Sequence, residues 1–363
     1  MSAPADPIEA VSQRLERFTD DQRSAAAGWG DEAVGFVRSG VDAVTGGKRL
    51  RARFCLTGWR AVAEHRGGRP IAAPPEAIAA AAALEVFHAA ALVHDDIIDN
   101  SDTRRGRPAA HRAFEAGHRD ARWAGDAAGF GRSAAILLGD LLVAWSDDLL
   151  EEGLAGSPHA ARARDIYAMM RREVTVGQFL DLAEEAAYLT APDDAQAERA
   201  LRVASLKSAR YSIEHPLLLG GALAGADADQ AAALSGFGHP LGLAFQLRDD
   251  VLGVFGDSAV TGKPSGDDLR EGKRTLLIAY ARESLAPGAR RVLDELIGDP
   301  TLDDAQISAL QQTIIDSGAL ARVEDHITRY ADEGDRALRG APLATSAVGT
   351  LRDLAREATV RTA

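Results

Sequence analysis

Residues 84–107, LEVFHAAALVHDDIIDNSDTRRGR, constrain the fold of this 363-residue chain more than any other stretch. They begin as a nearly uncharged helical pattern and end in Asp95, Asp96 and Asp99, followed by Arg104, Arg105 and Arg107. On an α-helix Asp95 and Asp99 lie one turn apart on one face, with Asp96 turned away by roughly 100°. Acids closing a helix oppose the partial negative charge at its C-terminus. A hard cation such as Mg2+, which holds phosphates through a few carboxylates, removes that conflict. Taken alone, such a motif reads equally well as a solvated acidic helix end. The pattern recurs: residues 245–253, FQLRDDVLG, place Asp249 and Asp250 on a second apolar helical segment.

No convincing period-two alternation occurs anywhere, so the pattern predicts an all-α fold. Hydrophobic residues make up 46% of the chain but aromatics only 5%, which implies a large core of Ala, Leu and Val. Such residues pack helices closely. With no linker and no composition break, residues 1–363 read as one domain, with 1–8 a loose tail. Helical spacing runs from Ile8 to Val37 with a break at Gly28 and Gly30, and again from the Gly46-Gly47 turn to about Arg66. Pro74, Pro75 and Glu76 then open a helix to residue 99. Residues 100–108 are polar turn chemistry, and the four glycines of 117–132 read as a long loop before a helix over 133–152. Further helices are expected near 158–187, 194–222, 228–235, 239–254, 274–296, 303–316, 318–338 and 343–360, with a glycine-rich loop over 256–272.

A net charge of −13 argues against a general nucleic-acid binder. The cations are instead local, with Lys48, Arg49, Arg51 and Arg53 in one short stretch. Cys55 is the only cysteine, which fits a reducing cytoplasm and excludes an intrachain disulfide. The first ten residues lack the basic and apolar regions of a signal peptide. The best candidate for a membrane span, residues 77–93, contains Glu85 and His88, so none is expected.

The segments HDDIID, SDTRRGRP, FQLRDD and GKPSGDDLREGKRT, in this order between about Gly46 and Thr275, resemble the trans-isoprenyl diphosphate synthases. The resemblance implies a bundle of mostly antiparallel helices around a deep central cavity, and a homodimer. It implies condensation of isopentenyl diphosphate with an allylic diphosphate, assisted by Mg2+, as three ions once substrate is bound. Asp95, Asp99 and Asp249 then hold the metal cluster, with Asp96 and Asp250 as nearby acids. Lys207, Lys263, Lys273 and Arg104 match positions that grip the allylic diphosphate, Ser208 replaces a frequent threonine, and Gln246 shapes the cationic site. Lys263 and Lys273 lie in or beside the 256–272 loop, which resembles a lid ordering on binding. Lys48, Arg51, His88 and Arg105 match the isopentenyl diphosphate site, although a histidine in an alanine-rich helix is usually a packed side chain. Gln178 and Asp181 match supporting positions. His94 matches no base; in these enzymes the released diphosphate takes the proton.

Two features set this chain apart. Gly253 stands where the second motif often carries a third acid, so Asp249 lacks a same-face partner and weaker binding of one metal is expected. Ala90 and Ala91 are small where bulky residues in the family stop growth near C15. Phe87, a turn of about 5.4 Å below Ala91, is then the floor, and the expected product is geranylgeranyl diphosphate, C20. Farnesyl or longer products are the alternatives. A terpene cyclase would need an Asn/Ser/Glu metal motif where FQLRDDVLG stands, a non-catalytic partner subunit tends to lose the metal acids, and an acidic helical scaffold leaves the paired acids and bases unexplained.

Overall fold

The computed structural model describes residues 6–67, 72–190, 192–256 and 265–359. Among these residues the regular structure is helical, apart from one hairpin of two two-residue strands. It runs through α1 (Pro7–Ala26), α2 (Asp31–Val44), α3 (Leu50–Gly67) and α4 (Pro75–Ile98). The strands β1 (Thr103–Arg104) and β2 (Arg107–Pro108) follow, then α5 (Ala110–Asp120), α6 (Ala127–Leu154) and α7 (Ala160–Ala187). Next come α8 (Gln196–Val203), a π-helical segment (Ala204–Glu214) and α9 (His215–Leu223), joined without a break. The rest is α10 (Ala228–Phe255), a short α11 (Asp267–Glu271), α12 (Leu276–Ser284), α13 (Pro287–Leu296), α14 (Asp304–Asp316), α15 (Ala319–Ala337) and α16 (Thr345–Thr359).

The centre of the bundle is α4. Its residues 77–87 are all buried, alanines and Glu85 included. With no side chain beyond Cβ, its alanines let α1, α3, α6 and α9 approach it closely. Glu85 is tolerated because its Oε1 accepts a hydrogen bond from the Ala52 amide at 2.9 Å. α6 lies along α4, and α10 packs on α15 and the π-helical segment. The two Asp-Asp helices therefore belong to different walls of one bundle.

Several expectations need correction. Helix α1 starts at Pro7, with the Asp6 carboxylate accepting from the Ile8 amide at 3.0 Å, so the tail is shorter than residues 1–8. The long loop over 117–132 shrinks to a short turn, because α5 reaches Asp120 and α6 begins at Ala127 behind the Asp126 cap. Packing of Ala135, Leu138 and Leu142 into the core overrides the glycine signal there. Residues 228–255 form one helix with Pro240 inside it, since Leu234, Phe237 and Leu241 bury on both sides of the proline. Residues 274–296 instead make two helices, broken before Pro287.

The polar turn holds a ladder pairing Thr103 with Pro108 and Arg104 with Arg107. Two helices, α4 and α6, are long and apolar enough to cross a membrane by length and composition alone. That exceeds the expectation from sequence. α4 is a core helix, with 72% of its apolar window buried.

Candidate active site

The last turn of α4 carries Asp95 and Asp96, and Asp99 caps it, with its amide donating to the Asp95 carbonyl at 2.8 Å. Arg105 (φ 52°) and Gly106 (φ 73°) occupy the turn of the hairpin, the left-handed pair that a tight two-residue turn requires. The turn sends Arg104 back onto the helix end. Its Nε donates to Asp96 Oδ1 at 2.8 Å and its guanidinium lies 3.8 Å from Asp95 Oδ2. Asp96 is thus buried under Arg104, while Asp95 and Asp99 lie within ion-pair reach of Lys207 and Lys273.

The π-helical segment supplies Lys207 and Ser208. A Cβ on Gly177 of α7 would fall 2.7 Å from Lys207 Cα, so only glycine lets the two backbones meet there. Lys207 Nζ reaches the Asp181 carboxylate of α7 and lies 3.6 Å from Asp95 Oδ1. From α10 come Gln246, Asp249 and Asp250, with Gln246 Nε2 donating to Asp250 Oδ1 at 2.7 Å. Lys273, just beyond α11, lies 2.7 Å from Glu271 Oε2, 3.5 Å from Asp268 Oδ1 and 3.7 Å from Asp99 Oδ2. Asp181, Lys207, Ser208, Gln246, Asp249, Asp250, Asp268 and Lys273 line one cleft. Lys263 of the expected set, and the part of the expected lid at 257–264, lie outside the described residues.

The charges explain the protonation states. Burial, then repulsion from Asp95, pushes Asp99 up to about 6. Burial, then Asp268, pushes Asp250 up to about 8. Glu185, one turn beyond Asp181, is raised to about 7 by burial and by Asp181 and Asp99. Burial opposes the Lys207 charge, but Asp181 and Asp95 outweigh it and raise the amine to about 12. Lys273 is likewise held well above the ordinary lysine value, because Asp268, Glu271 and Asp99 overcome its burial.

These donors fit Mg2+. They are hard carboxylate oxygens, and a cation offsets both the burial and the repulsion from Asp95 that raise Asp99. Among the described residues no three His, Cys, Asp or Glu side chains form a closed chelating group. The acids instead come one or two from each wall, the way Mg2+ is held jointly with substrate phosphates.

A second cationic group lies behind the hairpin. Arg51 is buried, stacks 4.1 Å from the Tyr211 ring centre, and donates to Ser212 Oγ at 2.9 Å. Its Nε is buried with no partner, a donor aimed at nothing in the protein. His88 Nδ1 lies 3.0 Å from the Tyr211 hydroxyl. Burial, then Arg51, Arg105, Arg104 and Arg49, keeps its imidazole well below the usual histidine value. Arg105 lies against Gly47, where its guanidinium nitrogen would sit 3.2 Å from an added Cβ. Lys48 is exposed, and its charge acts on Glu357. Arg49, given no site role from sequence, joins Arg51 of the same stretch in acting on His88 and also feels Arg105. Tyr211, Glu185, Asp268 and Glu271 were also missed, since no spacing rule links them to the acidic motifs.

Below the acids, Ala90 is fully buried and Ala91 partly so. Phe87 is buried, edge-on to Tyr211 at 5.8 Å and to Tyr167 at 6.3 Å between ring centres. His94 turns away toward α6, its Nε2 3.3 Å from the Ile136 carbonyl, so nothing here makes it a base toward the cleft.

Comparison with known proteins agrees with this geometry. The sequence profile of the polyprenyl synthetase family matches residues 37–314. A geranylfarnesyl diphosphate synthase of Aeropyrum pernix is 33% identical over 82% of this chain and 84% of the relative. A geranylgeranyl diphosphate synthase of Methanosarcina mazei is 31% identical over 82% of this chain and 80% of the relative. The crystal structure of geranylgeranyl pyrophosphate synthase from Corynebacterium glutamicum, complexed with isoprenyl diphosphate and magnesium, superposes with a TM-score of 0.91 at 38% identity. That match covers 99% of this chain and all of the other. With lysines of one cleft paired to the acids that end α4, acids of α10 lining the same cleft, and a profile match over most of its length, the chain belongs to the polyprenyl synthetase family of trans-prenyltransferases.

Proposed function

We propose that this chain joins isopentenyl diphosphate head-to-tail to an allylic diphosphate, using Mg2+, and releases geranylgeranyl diphosphate. The observation that carries the reading is the placement of Lys207 and Lys273, each between an acid of α4 and acids of another wall.

Breaking the allylic C1–O bond builds negative charge on the departing diphosphate, and fixed cations lower the barrier where that charge grows. Asp95, Asp99 and Asp249 would hold the ions, three of them with substrate bound, and Asp96 and Asp250 stay behind as buried acids. Bound Mg2+ supplies Lewis-acid neutralisation of the leaving diphosphate. Lys207, Lys273, Lys263 and Arg104 complete the grip. Ser208 offers a hydroxyl donor, and Gln246 holds Asp250 while presenting its amide to the allylic cation. Arg51, Arg105, Lys48 and neutral His88 bind isopentenyl diphosphate, whose double bond attacks the cation. A proton leaves to the released diphosphate. Ala90 and Ala91 leave room for the growing chain down to Phe87.

We also propose a single catalytic domain spanning the chain, a cytoplasmic location and a homodimer. The homodimer is supported by exposed apolar residues on two neighbouring helices, Ile136 and Leu137 on α6 and Val176, Phe179 and Leu182 on α7. The test is a product assay with labelled isopentenyl diphosphate and, separately, dimethylallyl, geranyl or farnesyl diphosphate. Products are sized after dephosphorylation, with a chelated control. A magnesium-dependent C20 alcohol is expected. A C15 or longer alcohol keeps the chemistry and removes Phe87 as the floor, and a hydrocarbon without elongation overturns the reading in favour of a cyclase.

A further inference from the structure

We infer that His239 and Ser235, one turn apart on α10, are positioning residues that fix the register of the π-helical segment and so hold Lys207 against Asp95. The inference rests on the reading of Lys207 as the cation that meets the leaving diphosphate. A π-helical run closes i→i+5 hydrogen bonds, a rare geometry that relaxes toward the α-helices flanking it unless neighbours hold it. A slip of one residue rotates Lys207 by roughly a quarter turn about the axis and takes its amine away from Asp95. Glycines bring the neighbouring backbones close. A Cβ on Gly242 of α10 would fall 2.7 Å from Ala209 Cα, and one on Gly238 would fall 2.8 Å from Glu214 Cα, in addition to the Gly177 contact from α7. Such contacts set how near the backbones come. Which residues stand opposite one another is set by directional bonds.

Polar side chains supply those bonds. Near the start of the segment Ser205 Oγ lies 2.8 Å from His239 Nε2. At its end the Ser235 hydroxyl donates to Glu214 Oε1 at 2.6 Å. Glu214 is buried, so this bond and the Arg210 guanidinium, 3.7 Å from Oε2, compensate its charge. The two links join the ends of the segment to one face of α10 in antiparallel order, and a one-residue shift breaks both. Toward α7, Arg210 donates to Glu173 Oε1 at 2.8 Å, and His215 Nε2 lies 2.8 Å from Glu173 Oε2. Neither His239 nor Ser235 lines the cleft; the segment's own Lys207 and Ser208 do. Tyr211 and Ser212 are held separately, by His88 and Arg51. Loss of the α10 links therefore falls on Lys207 and spares the isopentenyl diphosphate group.

The test is a double-mutant cycle on prenyl transfer by the full chain with geranyl diphosphate as primer. His239→Ala is expected to lower kcat by about 10- to 100-fold, as displacement of a reacting group does, with the KM for isopentenyl diphosphate within about twofold of wild type. His239→Gln, whose amide can still bond the Ser205 hydroxyl, is expected to recover most of that loss. Ser205→Ala and Ser235→Ala each remove one hydroxyl and leave the fold intact; both are expected to lower kcat in the same direction. Ser205→Ala combined with His239→Ala is expected to be no worse than His239→Ala, since one bond is lost in either case. In a Lys207→Met background His239→Ala is expected to cost less than about threefold, because the group it positions is gone. A cost as large in that background as in wild type, a wild-type kcat in folded His239→Ala or in Ser235→Ala, or a glutamine variant no better than alanine, overturns the inference alone. A wild-type protein with no prenyl transfer, or a Lys207→Met protein with wild-type kcat, overturns the reading of Lys207 and this inference with it.

Discussion

Lys207 Nζ lies 3.6 Å from Asp95 Oδ1, linking the π-helical segment to the last turn of α4. Segments of this kind often mark functional sites, and here the segment carries a fully charged amine to where a leaving diphosphate needs it. Its contribution is largest in the transition state, where the new charge appears.

Lys207→Met is therefore expected to lower kcat by about 100-fold or more, the usual cost of losing a fixed donor to a developing anion. The KM for isopentenyl diphosphate changes far less, because that substrate uses the other cationic group. Lys207→Arg recovers part of the loss. Steady-state kinetics with geranyl diphosphate check this, and a kcat within about threefold of wild type would remove Lys207 from leaving-group stabilisation.

Product length follows from Phe87 and its stacking on Tyr167 and Tyr211. Ala91→Phe is expected to shorten the product to C15. Phe87→Leu is expected to lengthen part of it beyond C20, and Phe87→Ala to do so further. The alanine variant loses about 3–5 kcal/mol of stability, typical for a truncated buried phenylalanine. If Phe87→Leu and Phe87→Ala both keep a single C20 product, the floor lies elsewhere.

Glu185 gives a pH signature. Its folded pKa of about 7 lies above the ordinary value of 4.5, so the folded state binds the extra proton between those values. Stability from this group is thus highest below pH 4.5, falls as pH rises toward 7, and is constant above. With a chelator present, Glu185→Gln is expected to raise Tm relative to wild type more at pH 8.5 than at pH 5, within about that window. Equal Tm differences at both values would refute the shift.

The isopentenyl diphosphate group is expected to behave as a stacked, uncharged-histidine site. Arg51→Lys loses both the stacking on Tyr211 and the planar donor set, so its KM for isopentenyl diphosphate should rise by about tenfold with a smaller change in kcat. Since burial and four arginines hold His88 neutral, His88→Gln should leave the pH dependence of that KM between about pH 6 and 8 unaltered. A KM transition near neutral pH in wild type that His88→Gln abolishes would show a charged histidine instead.

Helical content and the two acidic motifs were legible in the sequence because both depend on local periodicity. Asp95 with Asp99, and Gln246 with Asp249, follow from the turn of a helix and need no tertiary information. The loop over 117–132 and the break before Pro240 were misread for the converse reason. Glycine and proline weaken a helix locally, and burial of residues such as Leu138 and Phe237 outweighs them only once the neighbouring helices are in place.

The all-α class, the acids on α4 and α10 and the cations that accompany them follow from spacing along single helices, which the residue order carries. Packing between elements sets which cations meet which acids: Lys207 with Asp95 and Asp181, Lys273 with Asp99 and Asp268, and Arg104 with Asp96. It also decided that Tyr211 joins Phe87, His88 and Arg51, and that Asp268 fills the space over Gly253. These contacts join separate elements, and their geometry is set by how the helices pack.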